Sequence, residues 1–281
     1  MTSVQVPPPA ASETLAGRAF DGLAPDYDER FTRGLLGRLL RDRVWARLDA
    51  RFPRPGRILD VGCGTGEDAV YLGTRGQHVV ALDASQAMVD AARRKAAAAR
   101  LEQRISIRLA TIESLADRAA RTTADDGDDA LFDGAFSNFG AINCCAVDWT
   151  DLAGRLATQL KPCAPLILVV MGRTVPWEWA WYLTRAEPHR AFRRLRAGGA
   201  VWRGAVVRYP TIGELRRAFT PWFRYRCVSG LGFLLPPSYV NGWATRHPRL
   251  LHALDEWERR LWRVRALAWL ADHYILELDR R

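Results

Sequence analysis

Between Ala16 and Ala50, apolar residues recur three and four positions apart (Leu35, Leu36, Leu39, Leu40, Val44, Leu48), which predicts an N-terminal helical lead-in. The period then shortens. Arg57 to Gly62 reads as a short buried strand, Glu67 to Gly73 as a helix, and His78 to Asp83 as a second strand. Ser85 to Ala99, with Ser85 as N-cap, is a second helix. Ile105 to Leu109, Phe132 to Ser137 and Leu166 to Val170 predict three further strands, with a helix from Trp149 to Leu160 before the last. Strands alternating with helices imply a parallel α/β sheet. From Met171 the rhythm breaks into a Trp- and Arg-rich stretch (residues 176–183, then HRAFRRLRAGG). Phe223 to Val228 and Tyr274 to Leu278 read as the last strands. Between them Leu250, Leu254, Trp257, Leu261 and Val264 mark the apolar face of a helix of about five turns. Its opposite face carries Arg249, Glu256, Arg259, Arg260 and Arg263. Residues 1–14, rich in Pro, Ala and Ser, read as a disordered tail, and the acidic stretch Asp125 to Asp129 as an exposed loop.

Composition narrows the class. With 281 residues, 48% hydrophobic and 26% charged, the chain has ample core for one large domain. The longest strongly apolar run, Pro165 to Gly172, falls far short of the roughly 20 residues that span a bilayer. No basic region followed by an apolar stretch opens the chain, so no secretion signal is indicated. Five cysteines without CxxC or Cys/His ligand spacing argue against a metal site or a disulfide framework, and a reduced cytoplasm is expected. Of the net charge of +10, residues 185–265 alone hold 17 Arg against five acids, a local excess of +12. Such a patch attracts nucleic acid, an anionic membrane surface or an acidic substrate, or is simply a solvated surface.

The most informative stretch is ILDVGCGTGE, residues 58–67. Gly62, Gly64 and Gly66 sit where a strand turns into a helix, and missing Cβ atoms there let a flat ligand approach the backbone. Glu67 stands where a nicotinamide-dinucleotide loop has Gly or Ala, and the Gly-Lys-Ser/Thr of a phosphate loop is absent. Asp60 points instead to a ligand with a cationic end. Asp83, at the end of the second strand, can accept both hydroxyls of a ribose. A nucleoside with a positively charged amino-acid tail is S-adenosylmethionine.

The series ILDVGCGTG, VVALDAS with Met88, FDGAFSNFG and LKPCAPLILVV resembles the class I S-adenosylmethionine-dependent methyltransferases over roughly residues 20–172. The lead-in FDGLAPDYD, residues 20–28, is similar to that of the ubiquinone/menaquinone-biosynthesis branch, of the methyltransferase type 11/25 kind. The resemblance implies that Gly62, Gly64 and Gly66 line the methionine and ribose portion, that Asp60 orients the amino group, and that Asp83 binds the ribose. Met88 would pack near adenine. Ser137 and Asn138 would face the methionine moiety, with Phe139 near the sulfonium and Tyr27 over the methionine end. Cys63 and Ala84 join the cofactor-binding set as neighbours of these residues. Where relatives often carry an acid for the adenine amino group, this chain has Thr111, with Ile112 placed to pack on the ring.

The implied fold is α/β: a doubly wound, seven-stranded, Rossmann-like methyltransferase sheet with an N-terminal helical lead-in and C-terminal-half insertions forming a lid. A single domain is expected over 15–281, with the cofactor-binding core at about 50–172 and insertions at about 173–210 and 230–270. Methyl transfer from a sulfonium needs alignment and, for some nucleophiles, a base. His189, His273 and Glu178 are the catalytic candidates. Ten of the 11 tryptophans lie beyond residue 148, and Trp177, Trp179 and Trp181 alternate, suggesting either core packing or an aromatic lid over an apolar substrate, with residues 233–239 closing the other side. The expected reaction methylates an O, N or C nucleophile of a small apolar or aromatic metabolite, yielding S-adenosylhomocysteine. The alternatives are an RNA or protein methyltransferase using the arginine-rich segment, and a nonenzymatic S-adenosylmethionine-binding protein. Nucleic acid is the less favoured partner.

Overall fold

The computed structural model describes residues 14–116, 131–237 and 240–281. The acidic stretch 125–129, nearly all of the N-terminal tail, and Ser238 and Tyr239 lie outside them. Seven strands form one sheet: β1 (Arg57–Val61), β2 (His78–Asp83), β3 (Ile105–Leu109), β4 (Gly134–Ser137), β5 (Pro165–Met171), β8 (Phe223–Leu231) and β9 (His273–Arg280), with β6 (Ala200–Trp202) and β7 (Ala205–Val207) making a separate hairpin. The sheet order is β3-β2-β1-β4-β5-β9-β8, and β9 alone runs antiparallel to its neighbours. This is the doubly wound sheet expected from the sequence.

Both faces of the sheet are covered, and side-chain alternation sorts residues between them. Leu59, Val61, Val80 and Leu82 enter one buried cluster, while Ile58, Val79 and Ala81 enter the other. The lead-in consists of α1 (Leu15–Asp21), α2 (Ala24–Tyr27), a π turn (Asp28–Thr32) and α3 (Leu35–Arg51). The apolar positions Leu36, Leu40, Val44 and Leu48 of α3 are fully buried, as their spacing predicted. The core helices follow: α4 (Glu67–Thr74), α5 (Gln86–Ala98, capped by Ser85 accepting from Met88 N–H) and α6 (Trp149–Gln159). Chain order reverses between β1 and β4, and this switch point opens a crevice at the carboxyl ends of the strands.

Two features of the second half were left open by the sequence. Trp177, Trp179 and Trp181 lie on a helix, α7 (Pro176–Leu183), with Pro176 in its first turn, followed by the single turn α8 (Pro188–Ala191). Trp177 Nε1 donates to the Leu234 carbonyl at 2.7 Å, Trp179 packs on Phe192, and Trp181 lies under Arg185 while packing on the core. Packing, not lid formation, accounts for this run. After α9 (Ile212–Phe219) and β8 come α10 (Asn241–Arg246) and α11 (Pro248–Leu261), about one turn shorter than expected. The larger difference is orientation. Leu250 and Trp257, on the apolar face read from the sequence, are exposed, whereas Asp255 and Glu258 are buried.

The reason lies on α3. Arg43, Arg47 and Arg51, four residues apart, form one row facing the acids of α11 and β9. Arg43 pairs with Asp255 and Glu258 at 2.5 and 2.7 Å, Arg47 with Glu277 at 2.5 Å, and Arg51 with Glu277 and Asp279. Glu258 also accepts from the N–H groups of Gly232, Leu234 and Leu235 at 2.6, 2.9 and 2.9 Å. Leaving those buried donors unmet would cost more than exposing two apolar side chains.

Candidate functional site

A cavity of about 670 Å³ occupies the crevice. Its floor is the glycine loop, whose Gly62, Gly64 and Gly66 all have positive φ. They serve different ends. A Cβ on Gly64 would meet nothing within 4 Å, so its backbone faces open space, whereas one on Gly62 would stand 2.2 Å from Ala141 and one on Gly66 2.8 Å from Ala92. Gly62 and Gly64 line the cavity; Gly66 does not, because it caps α4 and lets that helix pack on α5.

Asp83 lines the cavity beside Ala84 and Met88, as expected. Its carboxylate accepts from Gly64 N–H at 2.8 Å and Ser85 N–H at 2.9 Å. Burial raises its pKa, and those N–H groups oppose the rise. One residue thus joins the loop to the end of β2 and still presents lone pairs to the cavity. Thr111 and Ile112 line the same end.

Tyr27, Asn138 and Phe139 line the other end. Phe139 holds a left-handed backbone at φ 43°, packs edge-on against Phe31 and His273, and lies 5.0 Å from the Arg41 guanidinium. Arg41 is buried and donates to Asp68 at 2.6 Å, and Asp68 also accepts from Trp45 and from Asn138 Nδ2 at 2.8 Å. Asp68 therefore fixes the rotamer of a cavity-lining amide. Burial pushes the Tyr27 phenol up to about 12, so it is a donor at neutral pH. The lead-in is tied to the glycine loop by Lys95, which bridges Asp28 and Glu67 at 2.8 and 2.7 Å, and by Thr65, whose hydroxyl donates to Asp28.

Three other expected cofactor residues stand behind the cavity wall. Cys63 is buried, with its thiol pKa pushed up by burial. The Ser137 hydroxyl donates to the Val61 carbonyl at 2.7 Å, spending it on the β1–β4 junction. Asp60 is buried and its Oδ2 has no hydrogen-bond partner among the described residues. Burial, together with the charges of Asp68 and Asp83, raises its pKa well above the carboxylate range. An orphaned buried carboxyl under a glycine loop fits a ligand that brings a cationic, hydrogen-bonding group to this end.

None of the three catalytic candidates lines the cavity. His189 is exposed on α8. Glu178 is fully buried and holds Arg193 and Arg194 at 3.0 and 2.8 Å. Arg194, itself buried, also pairs with Asp272 at 2.7 Å. His273 sits one layer back, with Nδ1 3.2 Å from Asp272 and its ring edge-on to Phe139. The buried ion pairs of Arg194 also remove it from the arginine surface that the sequence suggested.

The 173–210 insertion was expected to form a lid, but the hairpin and the α1 residues that make the cover were not identified from the sequence. Residues 14–17 and Phe20 of the α1 region form one side, and Ala205, Val206 and Arg208 at β7 the other, with Phe20 and Trp202 in ring contact at 5.3 Å. Asp21 Oδ1 accepts from Ser85 Oγ at 2.6 Å, which docks α1 over the Asp83 end. The 173–210 insertion therefore closes the cavity through its hairpin. Nothing in the periodicity of a three-residue strand marks it in advance.

Residues 58–163 match the family described as a methyltransferase domain. The chain is 30% identical over 159 residues to a ubiquinone/menaquinone biosynthesis C-methyltransferase UbiE of Geotalea daltonii, covering 53% of this chain and 60% of that protein. The chain spans less than two thirds of the length of the curated relatives it matches first. Among solved structures, it resembles the Burkholderia thailandensis 1,6-didemethyltoxoflavin-N1-methyltransferase with bound 1,6-didemethyltoxoflavin and S-adenosylhomocysteine (TM-score 0.56, 19% identity, covering 99% and 93% of the two chains). It also resembles the [4+2]-cyclase SpnF (TM-score 0.60, 16% identity, covering 99% and 98%). What the chain shares with these structures is the Rossmann-like α/β fold.

Proposed function

We propose that the chain binds S-adenosylmethionine in the crevice and transfers its methyl group to a small, apolar or aromatic acceptor. The observation that carries this reading is the pairing of Gly64, whose backbone faces open cavity, with Asp83, whose carboxylate is held by that backbone. When bound, S-adenosylmethionine supplies an electrophilic methyl group on a sulfonium. Asp83 takes the ribose hydroxyls, Thr111, Ile112 and Met88 flank adenine, and Asn138, oriented by Asp68, faces the amino-acid end. Asp60, behind the loop, accepts from the cationic amino group directly or through water. Tyr27 and Phe139 close the methionine end. Desolvation and alignment are the contribution of the walls; no histidine among the described residues lines the cavity, so proton removal by a dedicated imidazole is not part of the reading.

The apolar lining supplied by α1 and β7 supports a small uncharged or aromatic acceptor. Calorimetry with S-adenosylmethionine, S-adenosylhomocysteine and NAD tests the cofactor, and labelled methyl transfer to quinone, polyketide, lipid and RNA extracts tests the acceptor class. Binding of NAD without response to S-adenosylhomocysteine would overturn the first. Cofactor binding with no methyl acceptor in any extract, but with chemical change of a substrate, would favour a use of this fold like that of the cyclase.

A further inference from the structure

Because α11 turns Leu251, Asp255 and Glu258 inward, part of its apolar stripe is left in solvent, while Leu254 and Leu261 are half-buried. Leu250 and Trp257, two turns apart on one side of the helix, are 48% and 55% exposed. Val264, Trp269 and Leu270, just beyond the helix, are exposed as well. Together these are five of the twelve large hydrophobic residues exposed among the described residues, gathered in 21 positions. The charge between them is one-sided. Over residues 246–270 the exposed ionised groups are Arg246, Arg249, Arg259, Arg260, Arg263 and Arg265 against Glu256, since Asp255 and Glu258 are buried.

We propose that this face docks on an anionic lipid surface. The arginines are interleaved with the apolar groups instead of ringing them: the Arg260 guanidinium lies 5.3 Å from the Trp257 ring, and Arg263 lies 5.3 Å from Trp262. Arginine and tryptophan also suit a protein interface, so a second copy covering the face is an outcome of the test, but six exposed arginines against one exposed glutamate favour an anionic surface. The boundary between headgroups and acyl chains accepts both, with indole and aliphatic groups entering the apolar edge while guanidinium groups remain among phosphates. Docking is peripheral, as no described helix is long and apolar enough to cross a membrane. The inference does not depend on the reaction catalysed.

Sedimentation of the full chain with phosphatidylcholine vesicles, with and without phosphatidylglycerol, tests it. Binding is expected only with the anionic lipid and is expected to weaken with added salt. Leu250→Ser with Trp257→Ser should lower the partition coefficient about tenfold or more, and Arg260→Glu with Arg263→Glu about fivefold per cation removed, with unchanged circular dichroism and melting. The charge variants give an independent reading should the apolar ones disturb the helix. Absence of sedimentation, equal binding to neutral vesicles, or indifference to both pairs of substitutions would overturn the proposal. So would a concentration-dependent dimer in ultracentrifugation that the Leu250 and Trp257 substitutions dissociate, since a second copy would then cover the face.

Discussion

Asp83 does two things with one carboxylate, and a substitution separates them by assay. Asp83→Ala removes the proposed ribose acceptor, a charge-assisted hydrogen bond worth about 1.5 to 3 kcal/mol, or roughly 10- to 150-fold in cofactor affinity by calorimetry. It also strands the N–H groups of Gly64 and Ser85, so thermal unfolding should show a loss of about 1 to 3 kcal/mol. Asp60 should behave in the opposite sense. Its buried Oδ2 has no partner among the described residues and burial raises its pKa, so Asp60→Asn should stabilise the free protein at neutral pH while weakening cofactor binding. A variant less stable than the parent with normal affinity would contradict that role. His189, exposed and outside the cavity, should be replaceable by Ala with unchanged kcat/KM.

At the scale of elements, α11 is held by its polar side. Glu258→Ala would take one of two carboxylates from Arg43 and leave three backbone donors without their acceptor, and chemical denaturation should report a loss of about 3 to 5 kcal/mol. Trp257→Ser, at an exposed position of the same helix, should change stability by about 0.5 kcal/mol at most. The pattern 250, 254, 257, 261 correctly locates a helix, but it reports only that one face is apolar, not which face meets the core. That choice came from α3, where a row of arginines needed acids. The tryptophan run of α7 carries the same lesson: alternation fits a strand, yet Pro176 starts a helix and the indoles are spent on Leu234, Phe192 and Arg185.

Across the whole molecule, the insertion is bolted to the sheet by the buried set Glu178, Arg194 and Asp272, which ends at His273 beneath Phe139 in the cavity wall. Burial alone would raise the Asp272 pKa, but His273 and Arg194 more than offset it and hold the carboxyl far below its ordinary 3.8. A folded-state pKa below the unfolded value gives stability that is present above the unfolded pKa and lost as pH falls through the folded one. Asp272→Asn should therefore cost about 3 to 5 kcal/mol at neutral pH. The gap between parent and variant should shrink as pH drops below 3.8, which denaturation at a series of pH values would measure. A gap independent of pH would show that shape, and not charge, holds the insertion.

The chain by itself determined the five strands of the parallel core, the capped helix after Ser85, the glycine loop and the acid at the end of β2, because these depend on local period and on backbone geometry that few residues can adopt. It also marked most of the residues at the two ends of the cavity, since they follow strand ends in order. Only the tertiary structure decided that Asp60, Cys63, Gly66 and Ser137 stand behind the wall, that Glu178 is neutralised by arginines, and that a short hairpin and α1 make the cover. Those outcomes rest on pairings between residues far apart in the chain, such as Arg43 with Glu258 and Asp21 with Ser85. A buried charge or donor takes whichever distant partner the packing brings within reach, and local periodicity carries no record of that partner.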